Sequence, residues 1–298
     1  MNIAIAILLD GLSYSAWLFL VSVGMTLVFG VLRILNIAHG AFYAAGAYVA
    51  AFAVGLLISN GASLPWQLAA LALLPLIVGL AVGYVIEQSI LKPMMNEDGV
   101  TLLLATYAIF LVLEDTLKLI SGGGSFYASQ PRSALGQLPI VGLPYATYDL
   151  VLIIVAIALA VAGAWILTVT RIGQLVVAVV EDREISAALG INVKKLFTWT
   201  FAVGAALGFL AGGLTAPRIA IMPGVAGDVI ILAFAVVVIG GLGSIAGAAV
   251  GALIVGLCRA LSTHLYPEAE LFVIYGVMVI VLFVRPFGMF AAAEGRKI

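Results

Sequence analysis

The feature that most constrains this chain is a succession of apolar runs, each about as long as a lipid bilayer is thick. Crossing the hydrocarbon takes about 20 apolar residues in a helix. Segments 10–31, 41–59, 66–90, 100–120, 148–169, 197–215, 228–242, 245–263 and 269–285 are candidate spans. They are continuously apolar and do not alternate in ten-residue strips, so helices are expected and a barrel is not. Composition agrees: 64% of the 298 residues are hydrophobic, only 9% are charged, and mean hydropathy is +1.27. A water-facing domain carries about 25% charged residues. The expectation is an all-α polytopic transmembrane bundle of about 8–10 spans, a single transmembrane domain over 1–298. The N-terminal stretch MNIAIAILLD has no basic n-region and is read as the lead-in to the first span.

Lys and Arg orient the bundle. With the N-terminus outside, the inner segments hold Arg33, Lys92, Arg171, Arg183, Lys194, Lys195, Arg285, Arg296 and Lys297, and the outer ones Lys118, Arg132, Arg218 and Arg259. Segment 121–147, rich in Gly and Pro, is then an extracytoplasmic loop, and 170–196 is cytoplasmic.

Several chemistries are excluded. A net charge of −1 gives no basic surface for nucleic acid. The sole cysteine, Cys258, leaves no disulfide or thiolate metal site. His39 and His264 are the only histidines, and neither HExxH, GxSxG nor GxxxxGK[ST] occurs. No catalytic residue, metal ligand or cofactor is therefore expected in this chain.

Small residues every fourth position, Gly204, Gly208, Gly212 and again Gly243, Gly247, Gly251, form helix grooves that let backbones approach in lipid. They are read as packing sites. NIAHGAFYAAGAY (36–48) and SIAGAAVGAL (244–253) echo one another weakly, which leaves open an internal repeat or chance likeness between Ala/Gly-rich helices. Asn36, His39 and Tyr43 are candidates for a translocation pathway or gate; Asn36 and His39 equally suit a cap on a helix starting near Gly40. Glu114 and Lys118 suit an i,i+4 pair. Glu87 is expected at the cytoplasmic interface or paired with Lys92. Asp228 is expected to cap the seventh span.

The densest polar stretch is VVAVVEDREISAALGINVKKLF (176–197). A short amphipathic helix over 181–189 would carry Glu181, Asp182 and Glu184 in its first turn, with Arg183 beside them. Ile185, Ala188 and Leu189 form an apolar stripe, Gly190 a left-handed stop, and Asn192 the cap of the next helix. A rigid knob of this kind, with its stripe turned to water, is built to dock into another protein. An interfacial helix lying on lipid is the competing reading.

EDREISAALGIN resembles the coupling loop of ABC-importer permeases, whose pattern is E-A-A-x-x-x-G. Glu184 and Gly190 keep its spacing, whereas Ile185 and Ser186 replace the two alanines. GMTLVFGVLRILNIAHGAFYAAGAYVA, LLLATYAIFLVLEDTLKLISGG, FAVGAALGFLAGGL and VVVIGGLGSIAGAAVGALIVG resemble the LivH-type permeases of branched-chain amino acid importers, and the likeness runs along essentially the whole chain. The resemblance implies a type II ABC-importer-like permease in the inner membrane of a bacterium. It further implies a second, LivM-like permease, two cytoplasmic ATPase subunits that carry ATP and Mg, and an extracytoplasmic solute-binding protein. Glu181, Asp182, Arg183, Glu184, Ala188, Leu189, Gly190 and Asn192 would form the ATPase-coupling loop. LivH-type relatives carry leucine, isoleucine and valine, and others urea, amides, aromatic or dicarboxylic acids. A self-sufficient carrier or channel is the alternative from another class, and a membrane scaffold protein a third reading.

Overall fold

A computed structural model describes residues 2–290. In chain order the helices are α1 (Asn2–Leu32), α2 (Ala38–Ser59), α3 (Leu64–Ile86), α4 (Gly99–Ser121), α5 (Gln130–Ala134), α6 (Thr147–Val169), α7 (Arg171–Glu181), α8 (Arg183–Ala188), α9 (Val193–Thr215), α10 (Val225–Gly240), α11 (Ile245–Leu265) and α12 (Glu270–Val284). Strands β1 (Gln137–Ile140) and β2 (Leu143–Ala146) make one antiparallel hairpin. Among the described residues, seven helices are long and apolar enough to cross a membrane, and α10 and α12 are shorter apolar helices. The nine expected segments thus each find a helix, in an all-α polytopic bundle.

Segment 121–147 is more ordered than a Gly/Pro-rich loop suggests. Val141 and Gly142 both have positive φ, which matches the twist of a two-residue hairpin turn. Phe126 and Ile221 exchange backbone hydrogen bonds of 2.9 Å, tying this cap to the turn after α9.

The bundle is centred on α9, flanked by α1, α2 and α3. Lipid offers no hydrophobic drive between helices, so close van der Waals approach must hold them together. Gly204 faces the Gly24 carbonyl and Val28 of α1, and Gly212 faces the backbone of Tyr43 and Ala47 in α2. Gly46 of α2 faces the Phe209 backbone, and Gly79 and Gly83 of α3 face the Ala202–Phe209 stretch. Pro75 cannot donate to the Leu71 carbonyl four residues back, and Gly213 packs against that carbonyl and the proline ring. Every one of these positions lacks room for a methyl group. Around this core, α4 and α6 turn large side chains such as Leu104, Leu119, Ile154 and Val161 outward, as lipid-facing helices do.

The second glycine series closes the opposite seam. Gly243, at φ +86 in the turn between α10 and α11, lies against the Gly30 backbone of α1. Gly247 and Gly251 face Gly240 and Val236 of α10. The two echoing sequences therefore begin at neighbouring breaks. One follows Arg33, a non-glycine residue at φ +60; the other follows Gly243. Only the second carries a side-chain cap, from the Ser244 hydroxyl to the Gly247 N–H (3.0 Å).

Two expectations are corrected. Helix α10 starts at Val225 with Gly224 before it, so Asp228 lies within the first turn and is not the cap. Glu87 is 1% exposed and takes a hydrogen bond from the Gln88 amide (3.1 Å), while Lys92 bonds to Gln88 (2.7 Å). The chain winds into a π turn over Glu87–Leu91, closed by the Lys92 N–H on the Glu87 carbonyl (2.7 Å), and the Lys92 side chain goes to Gln88 and makes no ion pair with Glu87. The Glu114–Lys118 pair forms at 3.3 Å, with Asp115 joining at 3.2 Å.

Candidate functional site

The polar segment after α6 folds as three capped pieces. Thr170 caps α7, accepting from the Gly173 N–H (3.2 Å). The chain breaks at Asp182, whose backbone is extended and whose Oδ1 accepts from the Ile185 N–H (2.8 Å). Glu181 is therefore the last residue of α7. It is not in the first turn of the next helix, because Asp182 takes the capping position one residue later. The short α8 ends in a paired bond pattern: Ile191 N–H to Ser186 carbonyl and Gly190 N–H to Ala187 carbonyl, both 3.0 Å. That closure needs a left-handed residue at its corner, and Gly190 supplies φ +87. Asn192 then caps α9 through the Lys195 N–H (2.9 Å).

This stop fixes what the knob presents. Ser186 turns inward at 3% exposure, while Ile185 and Leu189 stand 60% and 77% exposed on one side. Glu184, Ala188 and Gly190 are also exposed. Arg183 is the tether. Its guanidinium donates to the Leu32 carbonyl at the end of α1 (2.9 Å) and lies over the Phe197 ring of α9 (4.8 Å). Burial, and after it the Arg33 charge, pull this guanidinium below its ordinary pKa.

The tether ends beside the other candidate residues. Past Leu32 the chain runs unwound to Ile37, and Thr106 of α4 grips it, donating to the Leu35 carbonyl and accepting from the Ile37 N–H, each at 3.2 Å. Asn36 is 2% exposed, and its amide oxygen and nitrogen have no protein partner. It does not cap α2, whose start has no side-chain cap. His39 is fully buried and donates from Nε2 to the Val21 carbonyl of α1 (2.8 Å). Its ring fills the space between Gly24 of α1 and Gly208 of α9, where a methyl carbon would sit 2.7 and 2.9 Å from Cε1. Tyr43 is also fully buried; its hydroxyl meets Thr215 Oγ1 (2.6 Å) and accepts from Trp17 Nε1 (3.1 Å).

Asn36, His39 and Tyr43 thus line one face of α2 and its lead-in, enclosed by α1 and α9. Arg183 joins the knob to the end of α1, ahead of the unwound stretch that carries Asn36. Sequence reading missed Thr106, Trp17 and Thr215, whose partners lie 26 to 172 positions away. It placed Arg183 in the loop without its bond to Leu32. Among the described residues there is no cluster of three metal-ligating side chains.

At the opposite end of the bundle, Asp149 at the start of α6 is 5% exposed and pairs with Arg132 (3.0 Å) and Arg218 (3.2 Å). Arg259 pairs with Glu270 and stacks over Tyr14 at 3.8 Å, and His264 meets Asp10 at 2.8 Å. The Tyr145 hydroxyl donates to the Leu9 carbonyl (2.9 Å), and burial raises its pKa.

Residues 7–282 match the family described as branched-chain amino acid transport system / permease component. The high-affinity branched-chain amino acid transport system permease protein LivH of Salmonella typhimurium and that of Escherichia coli K12 are each 29% identical over 304 residues, covering 97% of this chain and 96% of the relative. The permease protein BraD of Pseudomonas aeruginosa is 28% identical, covering 98% and 97%. No solved structure matches the chain. Matched almost end to end, and built as a multi-pass helical bundle, the chain belongs to the branched-chain amino acid transport permease family of the inner membrane.

Proposed function

We propose that this permease is driven by separate ATPase subunits, and that it passes branched-chain or other hydrophobic amino acids by alternating access. The observation that carries the reading is the capped knob of Asp182–Asn192. It presents Ile185 and Leu189 to water on one side and is fastened through Arg183 to the end of α1 on the other. A rigid projection with a bare apolar stripe suits a groove on a partner, and its fastening gives a push on the knob somewhere to go. An autonomous carrier would have no use for it.

In this reading the chain pairs with a LivM-like second permease, two ATPase subunits that hold ATP and Mg, and an extracytoplasmic solute-binding protein. The names of the relatives support branched-chain amino acids as cargo. The chain itself performs no chemistry. Asn36, His39 and Tyr43 serve at the moving seam between α1, α2 and α9, where the unfilled hydrogen bonds of Asn36 mark a place able to exchange partners.

The test is uptake of radiolabelled leucine into proteoliposomes holding the permease pair with and without the ATPase subunits, binding protein present. Uptake is expected only with both ATPase subunits and ATP. Leucine accumulation by the permeases alone would sink the proposal.

A further inference from the structure

Helix α10 is too short to cross a membrane alone. Its 16 residues rise about 24 Å, against a hydrocarbon core ~30 Å thick. It runs beside α1 in the same direction: the Ser22 hydroxyl of α1 reaches the Ala233 carbonyl at 3.5 Å, and Gly30 abuts Gly243 just past the end of α10. Asp228 stands one helical turn and a half before Ala233, which sets it level with Trp17 of α1. At about 1.5 Å per residue, that level is ~10 Å from Asp10 and ~22 Å from Leu32. Its neighbours Ala226 and Ile230 pack against Gly40 of α2, about 28 Å before that helix ends at Ser59. The carboxylate therefore lies at hydrocarbon depth.

Asp228 is exposed, and its carboxylate has no hydrogen-bond or ion-pair partner among the described residues. A charge in lipid is costly, and aspartate, with a single methylene, cannot reach the headgroups as lysine does. The lipid-facing helix α6 shows the contrast, since no charged residue occurs between Asp149 and Arg171. The face of α10 that bears Asp228 is therefore turned to something polar. That face runs from Gly224 through Gly227 and Asp228 to Ile231 and Phe234, positions three or four apart. A methyl at Gly224 or Gly227 would meet nothing within 4 Å, so the carboxylate is approachable from the helix start. On its other side the exposed Ile231 and Phe234 offer apolar surface.

We infer that Asp228 lines the translocation route and holds the α-ammonium of the passing amino acid, whose aliphatic side chain lies against Ile231 and Phe234. The inference rests on the transport reading and gives that route a named contact. An unmatched anion at this depth calls for a cation, and a branched-chain amino acid brings one on an otherwise apolar body. The open glycine positions suit a small mobile cation better than the packed stem of a lysine or arginine from the second permease.

The experiment uses the assembled permease–ATPase complex with Cys258→Ser as background. In nanodiscs, Asp228→Cys should react with the water-soluble cation MTSET, and Ile157→Cys on the exposed face of α6 should not. Ile231→Cys, which keeps the carboxylate, should react at least about threefold more slowly with saturating leucine or isoamylamine, but not with 4-methylpentanoate, which lacks the amine. Asp228→Asn should abolish that protection. In proteoliposomes it should slow ATP-dependent leucine uptake about tenfold, the loss expected for one charge-assisted hydrogen bond, and Asp228→Glu should recover part. Unfolding midpoints should not move. An unreactive Asp228→Cys, equal protection by 4-methylpentanoate, or wild-type uptake by Asp228→Asn would each overturn the inference. Loss of the second permease on purification of Asp228→Asn would make the residue a fixed ion pair between subunits and overturn it too. ATP-dependent uptake without leucine protection of Ile231→Cys removes this contact alone, whereas a wild-type complex that shows no such uptake removes the transport reading.

Discussion

The guanidinium of Arg183 donates to the carbonyl of Leu32 across 2.9 Å, joining the knob between α7 and α9 to the last turn of α1. A hydrogen bond from a charged donor contributes about 1.5–3 kcal/mol. Arg183→Ala is expected to leave the complex assembled and hydrolysing ATP while leucine uptake per ATP falls about tenfold. Arg183→Lys should recover part of the loss, because an ammonium reaches the carbonyl but does not lie flat on Phe197. The ratio of uptake to phosphate release measures both.

Gly190 and Glu184 test the knob itself. At φ +87, Gly190 has open space around it, so Gly190→Ala meets only backbone strain of about 1 kcal/mol. Gly190→Pro requires φ near −65° and removes the N–H that closes α8. The proline variant is expected to fold, since the bundle lies elsewhere, yet to uncouple hydrolysis from uptake. Glu184→Lys, which reverses the charge in the first turn of α8, should do the same. Wild-type uptake in either would count against docking through this loop.

Glycines that touch and glycines that do not should behave oppositely. A methyl at Gly212 meets the Tyr43 backbone and would force α2 from α9, so Gly212→Ala is expected to destabilise by about 1–3 kcal/mol. Gly55, within α2, has nothing within 4 Å of such a methyl, and Gly55→Ala should gain about 0.5–1 kcal/mol. Unfolding midpoints in detergent should move in opposite directions.

His39 fills the gap between Gly24 and Gly208. His39→Ala leaves a hole and an unpaired Val21 carbonyl, and should destabilise by about 2–4 kcal/mol. His39→Gln keeps a donor and most of the volume, so it should retain more than half of that stability. The same midpoints decide it, and equal losses in the two variants would refute a packing-plus-donor role.

Asp98 caps α4 through Thr101, whose hydroxyl first and N–H next hold the carboxyl below its usual 3.8. A lowered carboxylate pKa contributes stability that is complete above the unfolded value and lost as pH falls through the folded one. Exchange of the Thr101 amide should therefore accelerate below about pH 3.8, beyond the change in intrinsic rate, and Asp98→Asn should abolish that acid dependence. An acid acceleration that survives in Asp98→Asn would remove the cap as its cause.

The helical plan was legible because span length and continuous apolarity are local properties, and Gly190 and Asn192 announce their caps through residue type. What escaped was non-local. Glu87 is buried beside Gln88, whose amide also donates to Thr198 of α9, 110 positions away, a partner no residue spacing encodes. The break at Asp182 divides what reads as one helix from Glu181 onward. The lock of Thr106 on the α1–α2 junction joins segments about 70 residues apart. The charged cluster around Asp149 and Arg259 draws on distant stretches of chain, each unremarkable alone.

Helix α9 begins at the cap of the knob and is gripped along its length by glycine contacts, the one nearest His39 being Gly208. At about 1.5 Å per residue, Val193 lies ~22 Å before that grip and Thr215 ~10 Å beyond it. The knob and the Thr215–Tyr43 contact therefore stand at the two ends of one continuous rod, so a displacement of the first turn of α9 would have a stiff path to the buried hydroxyl pair.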